Sequence, residues 1–402
     1  MDKLFIEDLP ISGKKVLMRV DFNVPLDSDQ QVTDPTRIEA ALPSIRYVLE
    51  KGGSLILMSH LGRPNDVFLP EFSLKPVKRV LERVLDRPVT MAPDCLGEEV
   101  REIVDAMQPG AVVLLENLRF HRAETHPQEA PDFAKQLAAL GELYVNEAFG
   151  CSHRKHSSIY TITQYFPGKA AAGYLMKKEV DFLRKILQEP KRPFYALVGG
   201  SKVSTKMGVL KSLAQKADAL FIGGGMAYTF LHAQGISVGR SILEIDQIPT
   251  AKEIMALCKK LYLPIDVKVV KELSEDAAYK ELEVKGGIPD DLKGVDIGSA
   301  TIALFSKELA KAKTIFWNGP VGVFEFTPFA EGTNALARAI ASSKAMSVVG
   351  GGDSIAAIKK AGVQREITHI STGGGATMLF IEQGTLPGIE ALSEKEVSGY
   401  LS

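Results

Sequence analysis

Short Val-, Ile- and Leu-rich runs recur along this chain, each followed by a segment whose apolar residues repeat at helical spacing. No other feature narrows the fold as much. In the first half the runs fall at residues 16–22, 54–59, 112–115 and 143–146, and the helical patterns at 35–51, 74–85 and 131–140. Asp34 and Pro35 offer an N-cap and a first-turn proline for the 35–51 helix, Ile38, Leu42, Ile45 and Leu49 line one of its faces, and Gly52 and Gly53 close it. A strand, a helix and a second strand running parallel to the first, joined by a right-handed crossover, is the expected unit. The runs are continuously apolar rather than alternating, which predicts a parallel sheet covered on both faces.

The alternation pauses at residues 168–193, where one long helix is expected, with Leu175, Phe182, Leu183 and Ile186 apolar and Pro190 and Pro193 ending it. It reads as an interdomain connector. Strands resume at 194–198, 219–222, 266–270, 314–317, 346–349 and 369–371 and predict a second parallel sheet, while the charged stretch 273–287 suggests a small antiparallel excursion. A length of 402 residues suits two such domains better than one core. With 48 basic against 49 acidic residues the net charge is −1, so no global field draws nucleic acid or anionic lipid, and any polyanion site has to be local. Cys95, Cys151 and Cys258 lie far apart and form no Cys-x-x-Cys pair, which fits a reducing cytoplasm. Residues 1–15 carry acids and no long apolar block, and no later run reaches the ~18 apolar residues needed to span a bilayer. A soluble, untargeted protein is expected.

In open α/β sheets ligands bind beyond the carboxyl ends of the strands. The first half places there Asp21-Phe22-Asn23, His60-Leu61-Gly62-Arg63, Asn117-Leu118-Arg119 and Cys151-Ser152-His153-Arg154, with Arg37 at the start of the first helix. Arginines recurring at successive strand ends suit a small, highly charged oxyanion such as a phosphate ester, although any one of them could be a surface ion-pair partner. The second half places glycines there: Gly199-Gly200, Gly223-Gly224-Gly225, Asn318-Gly319-Pro320, Gly350-Gly351-Gly352-Asp353-Ser354 and Gly373-Gly374-Gly375. Glycine turns that open helices let backbone N–H groups approach an anion. Lys202 and Lys206 follow the first of them at helical spacing and would share one face, pointing to phosphate. A plain glycine turn before an exposed helix uses the same residues. Asp353 suits either a magnesium ligand beside a nucleotide or an N-cap, and Glu325 either a ribose contact or an exposed loop acid. His153 and His156 have no partners to complete a metal site. Phe316 and Trp317 read as core strand residues. Neither G-x-x-x-x-G-K-[ST] nor G-x-G-x-x-G occurs, which disfavours an ordinary P-loop enzyme and an ordinary dinucleotide dehydrogenase.

These residues resemble the phosphoglycerate kinase family from end to end. The resemblance runs through Arg19-Val20-Asp21-Phe22-Asn23-Val24-Pro25, Ser59-His60-Leu61-Gly62-Arg63-Pro64, Glu116-Asn117-Leu118-Arg119-Phe120, His153-Arg154 and His156-Ser157-Ser158. It continues through residues 199–206, Trp317-Asn318-Gly319-Pro320-Val321-Gly322-Val323-Phe324-Glu325, residues 350–354 and residues 371–376. Ser201 stands where the family commonly has Ala, and Ser354 where it commonly has Thr. The resemblance implies an α/β protein of two Rossmann-like lobes, each a parallel sheet flanked by helices, joined by a hinge helix. The expected domains are 1–170, binding 3-phosphoglycerate or 1,3-bisphosphoglycerate; a hinge at 171–190; 191–383, binding ADP or ATP with Mg²⁺; and a tail, 384–402, returning to the first lobe. Carried over residue by residue, Asp21, Phe22, Asn23, Arg37, His60, Leu61, Gly62, Arg63, Arg119 and Arg154 hold the glycerate. Gly200, Lys202, Lys206, Gly223, Gly224, Asn318, Glu325, Gly351, Gly352, Asp353 and Ser354 serve the nucleotide, with Asp353 on the metal. A monomer is implied.

The expected reaction is in-line phosphoryl transfer between ADP and the carboxylate of 3-phosphoglycerate. Arg37 and Lys202 attend the migrating group, and the helix N-terminus at Gly373 and Gly374 attends the charge developing in transit. The acceptor and donor belong to different lobes, so closure is expected. A two-lobed protein that captures an anionic metabolite would share the arginines but has no use for Lys202, Lys206 and Asp353. A dehydrogenase on a similar sheet would need the fingerprint that is missing.

Overall fold

The computed structural model describes residues 2–395. They form two compact units, one of residues 2–180 and 385–395, the other Asp181–Gly384.

The sheet of the first unit contains β1 (Lys15–Arg19), β2 (Ser54–Met58), β3 (Thr90–Met91), β4 (Val112–Leu114), β5 (Leu143–Asn146) and β6 (Ala170–Ala172) in the order β3-β4-β2-β1-β5-β6. All its pairings are parallel. Around it lie α1 (Thr36–Glu50), α2 (Lys75–Leu85), α3 (Glu98–Asp105) and α4 (Asp132–Ala138). β2 is buried along its whole length, as a parallel strand covered on both faces must be. The face that α1 buries is Ile38, Ala41, Ile45 and Val48, rotated from the expected stripe so that Leu42 and Leu49 lie at its margin. Its start also moves by one residue. Pro35 is the N-cap, and Asp34 accepts the Thr36 N–H at 3.0 Å from just outside the helix. Residues 385–395 return to this sheet and share the β6 edge with the N-terminus: Ser393 N–H donates to Ala170 O at 2.9 Å, Ala172 N–H to Leu4 O at 2.9 Å, Leu4 N–H to Ser393 O at 2.9 Å, and on β5 the Asn146 amide donates to Gly388 O at 3.1 Å.

The helix expected at residues 168–193 is the shorter α5 (Tyr174–Leu187), and the boundary between the units falls inside it, after Val180. Its N-terminus rests on a buried acid. Glu147, one residue beyond β5, accepts the Ser44 hydroxyl at 2.5 Å and the N–H groups of Leu175 at 2.9 Å and Met176 at 3.4 Å. Gly173 is required beside it, because a Cβ there would sit 2.0 Å from Glu147 Oε2. Burial raises the Glu147 carboxyl to about 7 against hydrogen bonds that favour its ionised form. The folded chain therefore holds this proton where the unfolded chain has released it. The stabilisation is fully present below the ordinary carboxyl range near 4.5 and is lost as pH rises through about 7. We expect the unfolding free energy of Glu147→Gln, from urea titrations, to fall less between pH 5 and 8 than that of the parent. A difference between the two proteins that does not change with pH would remove Glu147 from this role.

The second unit has β7 (Phe194–Val198), β8 (Ala219–Ile222), β9 (Leu261–Tyr262), β10 (Asp266–Val270), β11 (Lys280–Glu283), β12 (Lys293–Ile297), β13 (Thr314–Asn318), β14 (Met346–Gly350) and β15 (His369–Ser371). Six of them make a parallel sheet ordered β15-β14-β13-β7-β8-β9. Its helices are α6 (Met207–Lys216), α7 (Met226–Ala233), α8 (Ile248–Leu257), α9 (Ser299–Leu309), α10 (Glu331–Ser342), α11 (Gly352–Ala361) and α12 (Gly375–Gln383). The antiparallel excursion is present, but it claims residues 266–270 as well. β10 is the centre of a separate three-stranded antiparallel sheet, β11-β10-β12, and not a member of the parallel one. The misassignment has a physical cause, since β10 is buried at every residue and so lacks the alternation of a half-exposed antiparallel strand. Val267 and Val269 join Tyr228 and Leu231 in one cluster, and Lys268 reaches out over the Tyr279 ring, 4.7 Å from its centroid, to pair with Glu331. Among the described residues no helix is long and apolar enough to cross a membrane.

Candidate functional site

In the first unit the loops after β1, β2 and β4 are tied to one another. Asn23 Oδ1 accepts the Gly62 N–H at 2.8 Å, Arg119 Nη1 donates to Gly62 O at 2.9 Å, and the Asn117 amide donates to Leu61 O at 2.8 Å and Phe72 O at 2.9 Å. Gly62 has φ +61°, and a Cβ there would meet the Phe72 ring at 2.3 Å, so only glycine fits the crossing. Arg63, Arg119 and Arg154 line one cleft of about 530 Å³. Arg119 Nε is buried there and has no hydrogen-bond partner. Arg37 lies outside this lining and pairs with Asp21 at 2.8 Å. Phe22 and Leu61 are core side chains, and the Phe22 N–H is used by Ser59 Oγ at 2.9 Å.

Beneath these loops Arg19 is wholly buried, donating from Nε to Ser158 Oγ at 2.7 Å and lying 3.7 Å from Glu124 and 3.3 Å from His60 Nδ1. Burial, reinforced by Arg19 and Arg119, holds the His60 pKa well below its ordinary value, so its imidazole is neutral at physiological pH. Asp21, His60 and Cys151 come close enough to share a cation. Three arginines act on the same point, Arg19 and Arg37 among them, and a cation is disfavoured there.

In the second unit the chain reverses strand order between β7 and β13, and the loops leaving those strands cross backbone against backbone. Gly199 N–H donates to Asn318 O, Gly200 N–H to Pro320 O and Gly224 N–H to Val321 O, each at 2.9 Å. A Cβ on Gly199 would lie 2.0 Å from Pro320 O. The two lysines do not share a helix face as expected. α6 begins only at Met207, leaving Lys202 exposed just before the turn that leads into it, while Lys206 folds back to donate to Asn318 Oδ1 at 2.6 Å and Gly199 O at 2.7 Å. Asn318 is itself buried, with its amide on Gly350 O at 2.7 Å, and the Gly319 N–H donates to Ser354 Oγ at 2.6 Å. Burial lowers the Lys206 pKa to about 8, against the opposing pull of Asp353.

Asp353 is exposed in the first turn of α11, whose N-cap is Gly351 and not Asp353. Gly374 likewise caps α12 at φ +52°, next to Gly373. Gly200, Gly224, Glu325 and Asp353 line a slot of about 340 Å³, and its walls include Tyr228, Ile242, Leu273 and Val321. Gly223 hydrogen-bonds back to Val198 O at 3.0 Å, and Gly352 is exposed at the helix start.

A family model, phosphoglycerate kinase, matches residues 6–384. The chain belongs to the phosphoglycerate kinase family. A phosphoglycerate kinase of Chlamydia muridarum is 51% identical over 400 residues, covering 98% of this chain and 99% of the relative. Among solved structures, phosphoglycerate kinase from Coxiella burnetii is similar with a TM-score of 0.86 at 38% identity, covering 97% of this chain and 98% of that one. Phosphoglycerate kinase from Pyrococcus horikoshii OT3 follows with a TM-score of 0.83 at 33% identity over the same shares. The activity is accordingly that of a glycolytic phosphotransferase with a carboxyl acceptor, moving a phosphoryl group reversibly from 1,3-bisphosphoglycerate to ADP to give 3-phosphoglycerate and ATP.

Several residues in these phosphoglycerate kinase clefts escaped the reading of strand ends. Arg122 lines the arginine cleft and pairs with Glu129 at 2.6 Å and Asp66 at 3.3 Å. Its signal was visible three residues beyond Arg119. Tyr228, Ile242 and Leu273 had no such signal, because each arrives from a helix or loop remote in sequence from the glycine turns.

Proposed function

We propose that the arginine cleft of the first unit receives the phosphate of 3-phosphoglycerate or 1,3-bisphosphoglycerate, and that the slot of the second unit receives ADP or ATP with Mg²⁺. The observation that carries this is the convergence of Arg63, Arg119 and Arg154 on one cleft where the buried Arg119 Nε lacks an acceptor. A buried guanidinium N–H without a partner is costly, and a phosphate oxygen satisfies it. Asp21, Asn23, neutral His60 and the Gly62 backbone complete the glycerate side. The apolar walls of the slot suit a base, Glu325 a ribose, and the Gly200, Gly224 and Gly351 turns the phosphates. Asp353 fits Mg²⁺ because its carboxylate is exposed at the slot and is not spent on a helix cap, and Mg²⁺ pairs one or two carboxylates with substrate phosphates. The ion supplies neutralisation of phosphate charge.

The attacking carboxylate, with an ordinary pKa near ~3.5 to 4, is already ionised and needs no general base. This chain's residues have instead to align two substrates and place positive charge around the three equatorial oxygens. Arg37 and Lys202 face the migrating group, Lys206 with Asn318 behind it steadies the nucleotide phosphates, and the N-terminus of α12 at Gly373 and Gly374 meets charge in transit. The two substrates have to meet for transfer, which makes α5 the hinge. The three free cysteines support a cytoplasmic protein, and we assign a monomer. A coupled assay of ATP formation from ADP and 1,3-bisphosphoglycerate tests the reading, and absence of ATP would overturn it.

Lys206 adds a second test. Phosphates arriving beside an ammonium with a pKa of about 8 restore it toward its ordinary ~10.4. ADP binding at pH 9 is expected to take up most of one proton through Lys206, whereas at pH 6.5 Lys206 takes up none and any exchange is release from the terminal phosphate of ADP. Calorimetry in two buffers of different ionisation heat reads the difference, and Lys206→Arg should abolish the uptake. Equal uptake at both pH values would exclude Lys206 from the phosphate site.

A further inference from the structure

The turn that follows Lys202, closed by Lys206 N–H on Val203 O, is held from outside. Val203 and Ser204 precede the first helical residue of α6, so their N–H groups have no helical partner, and one carboxylate takes both. Glu244 Oε2 accepts from Val203 N–H at 2.6 Å and from Ser204 N–H at 3.2 Å, and Glu244 Oε1 accepts from the Ser204 hydroxyl. Glu244 is fixed in turn, because its own N–H donates at 3.2 Å to the hydroxyl of Thr229, a buried residue of α7. It lies two positions beyond Ile242, which forms part of the wall of the slot.

We infer that Glu244 is a positioning residue for phosphoryl transfer, fixing the turn that aims Lys202 and tying that turn to the segment on which the nucleotide base rests. This rests on the assignment of Lys202 to the migrating group. A side chain whose ammonium swings on a flexible stem gives transition-state stabilisation only when its backbone is held, and a displacement of about 1 Å at a reacting group can cost about 10²-fold in rate. Glu244 supplies the hold by satisfying the N–H groups of two successive peptides, Lys202–Val203 and Val203–Ser204. The Lys202 side chain is left exposed and free to reach substrate.

The test is a double-mutant cycle in the ATP-forming assay, with melting temperatures recorded for every variant. Glu244→Ala is expected to lower kcat by about 10- to 100-fold. Its KM for ADP should not rise, since the lost charge has the same sign as the phosphates. Glu244→Gln, which keeps one acceptor oxygen, should fall between the two, and it completes the cycle if the alanine variant does not fold. In a Lys202→Ala background either change should cost less than about 2-fold, because a group acting through Lys202 has nothing left to position. Losses that multiply, or full kcat in Glu244→Ala beside a collapsed Lys202→Ala, would overturn the inference alone. Near-normal turnover of Lys202→Ala would overturn the assignment of Lys202 first.

Discussion

Lys202→Ala is expected to lower kcat by at least about a hundredfold while the melting temperature stays within the error of the parent. Lys202 is exposed, and an exposed side chain of this kind typically changes stability by less than about 0.5 kcal/mol. In the role proposed for it the contact forms only in the transition state, where loss of one well-aimed electrostatic contact removes about 3 to 4 kcal/mol. Equal losses in kcat and kcat/KM would show that the contact forms only there. The same substitution at Lys206 cannot be read so simply. It would strip Asn318 Oδ1 and Gly199 O of their donor inside the protein, at about 1 to 3 kcal/mol for the buried groups left unpaired. Near-normal turnover of Lys202→Ala would remove this lysine from the chemistry.

The largest effect on stability is expected beneath the arginine cleft. Arg19 and Glu124 are both wholly buried and lie 3.7 Å apart. Burial alone raises the Glu124 pKa, and the Arg19 charge works against that rise. Arg19→Met would leave the carboxylate without a counter-charge, and breaking a buried pair from one side costs about 3 to 5 kcal/mol. Urea unfolding followed through the first unit should show this loss, and adding Glu124→Gln should return part of it, since the neutral amide no longer needs the cation. A loss below about 1 kcal/mol for Arg19→Met would mean that Glu124 is held by the Ser158 hydrogen bonds instead.

Much of this fold is legible in the residues because parallel strands buried on both faces leave unbroken apolar runs. Residues 143–146, 194–198 and 219–222 were bounded correctly for that reason. The same rule failed at Asp266–Val270, where a central antiparallel strand is buried just as fully and its lysine is hidden under a tyrosine ring. The glycines and arginines at the strand ends were visible because each parallel sheet brings its own carboxyl ends to one edge. The division between the two lysines was not. Equal spacing predicts one shared face, whereas the late start of α6 sends Lys202 outward and Lys206 inward. Glu244 was invisible as well, since its partners Val203 and Ser204 are 41 and 40 positions away and no local pattern links them.

The seal on β6 also sets an order of events on the ribosome. Ala170 waits for Ser393, 223 positions later, before its end of the edge is covered, whereas Ala172 is met by Leu4 and Phe5. At about 5 to 20 residues per second that interval is roughly 10 to 45 s. The second unit, continuous from Asp181 to Gly384, is complete before the first one can close. The half made first is thus the half finished last, and throughout that interval the nascent chain carries a strand edge paired at Ala172 alone, the kind of incomplete edge that exposes a chain to mispairing.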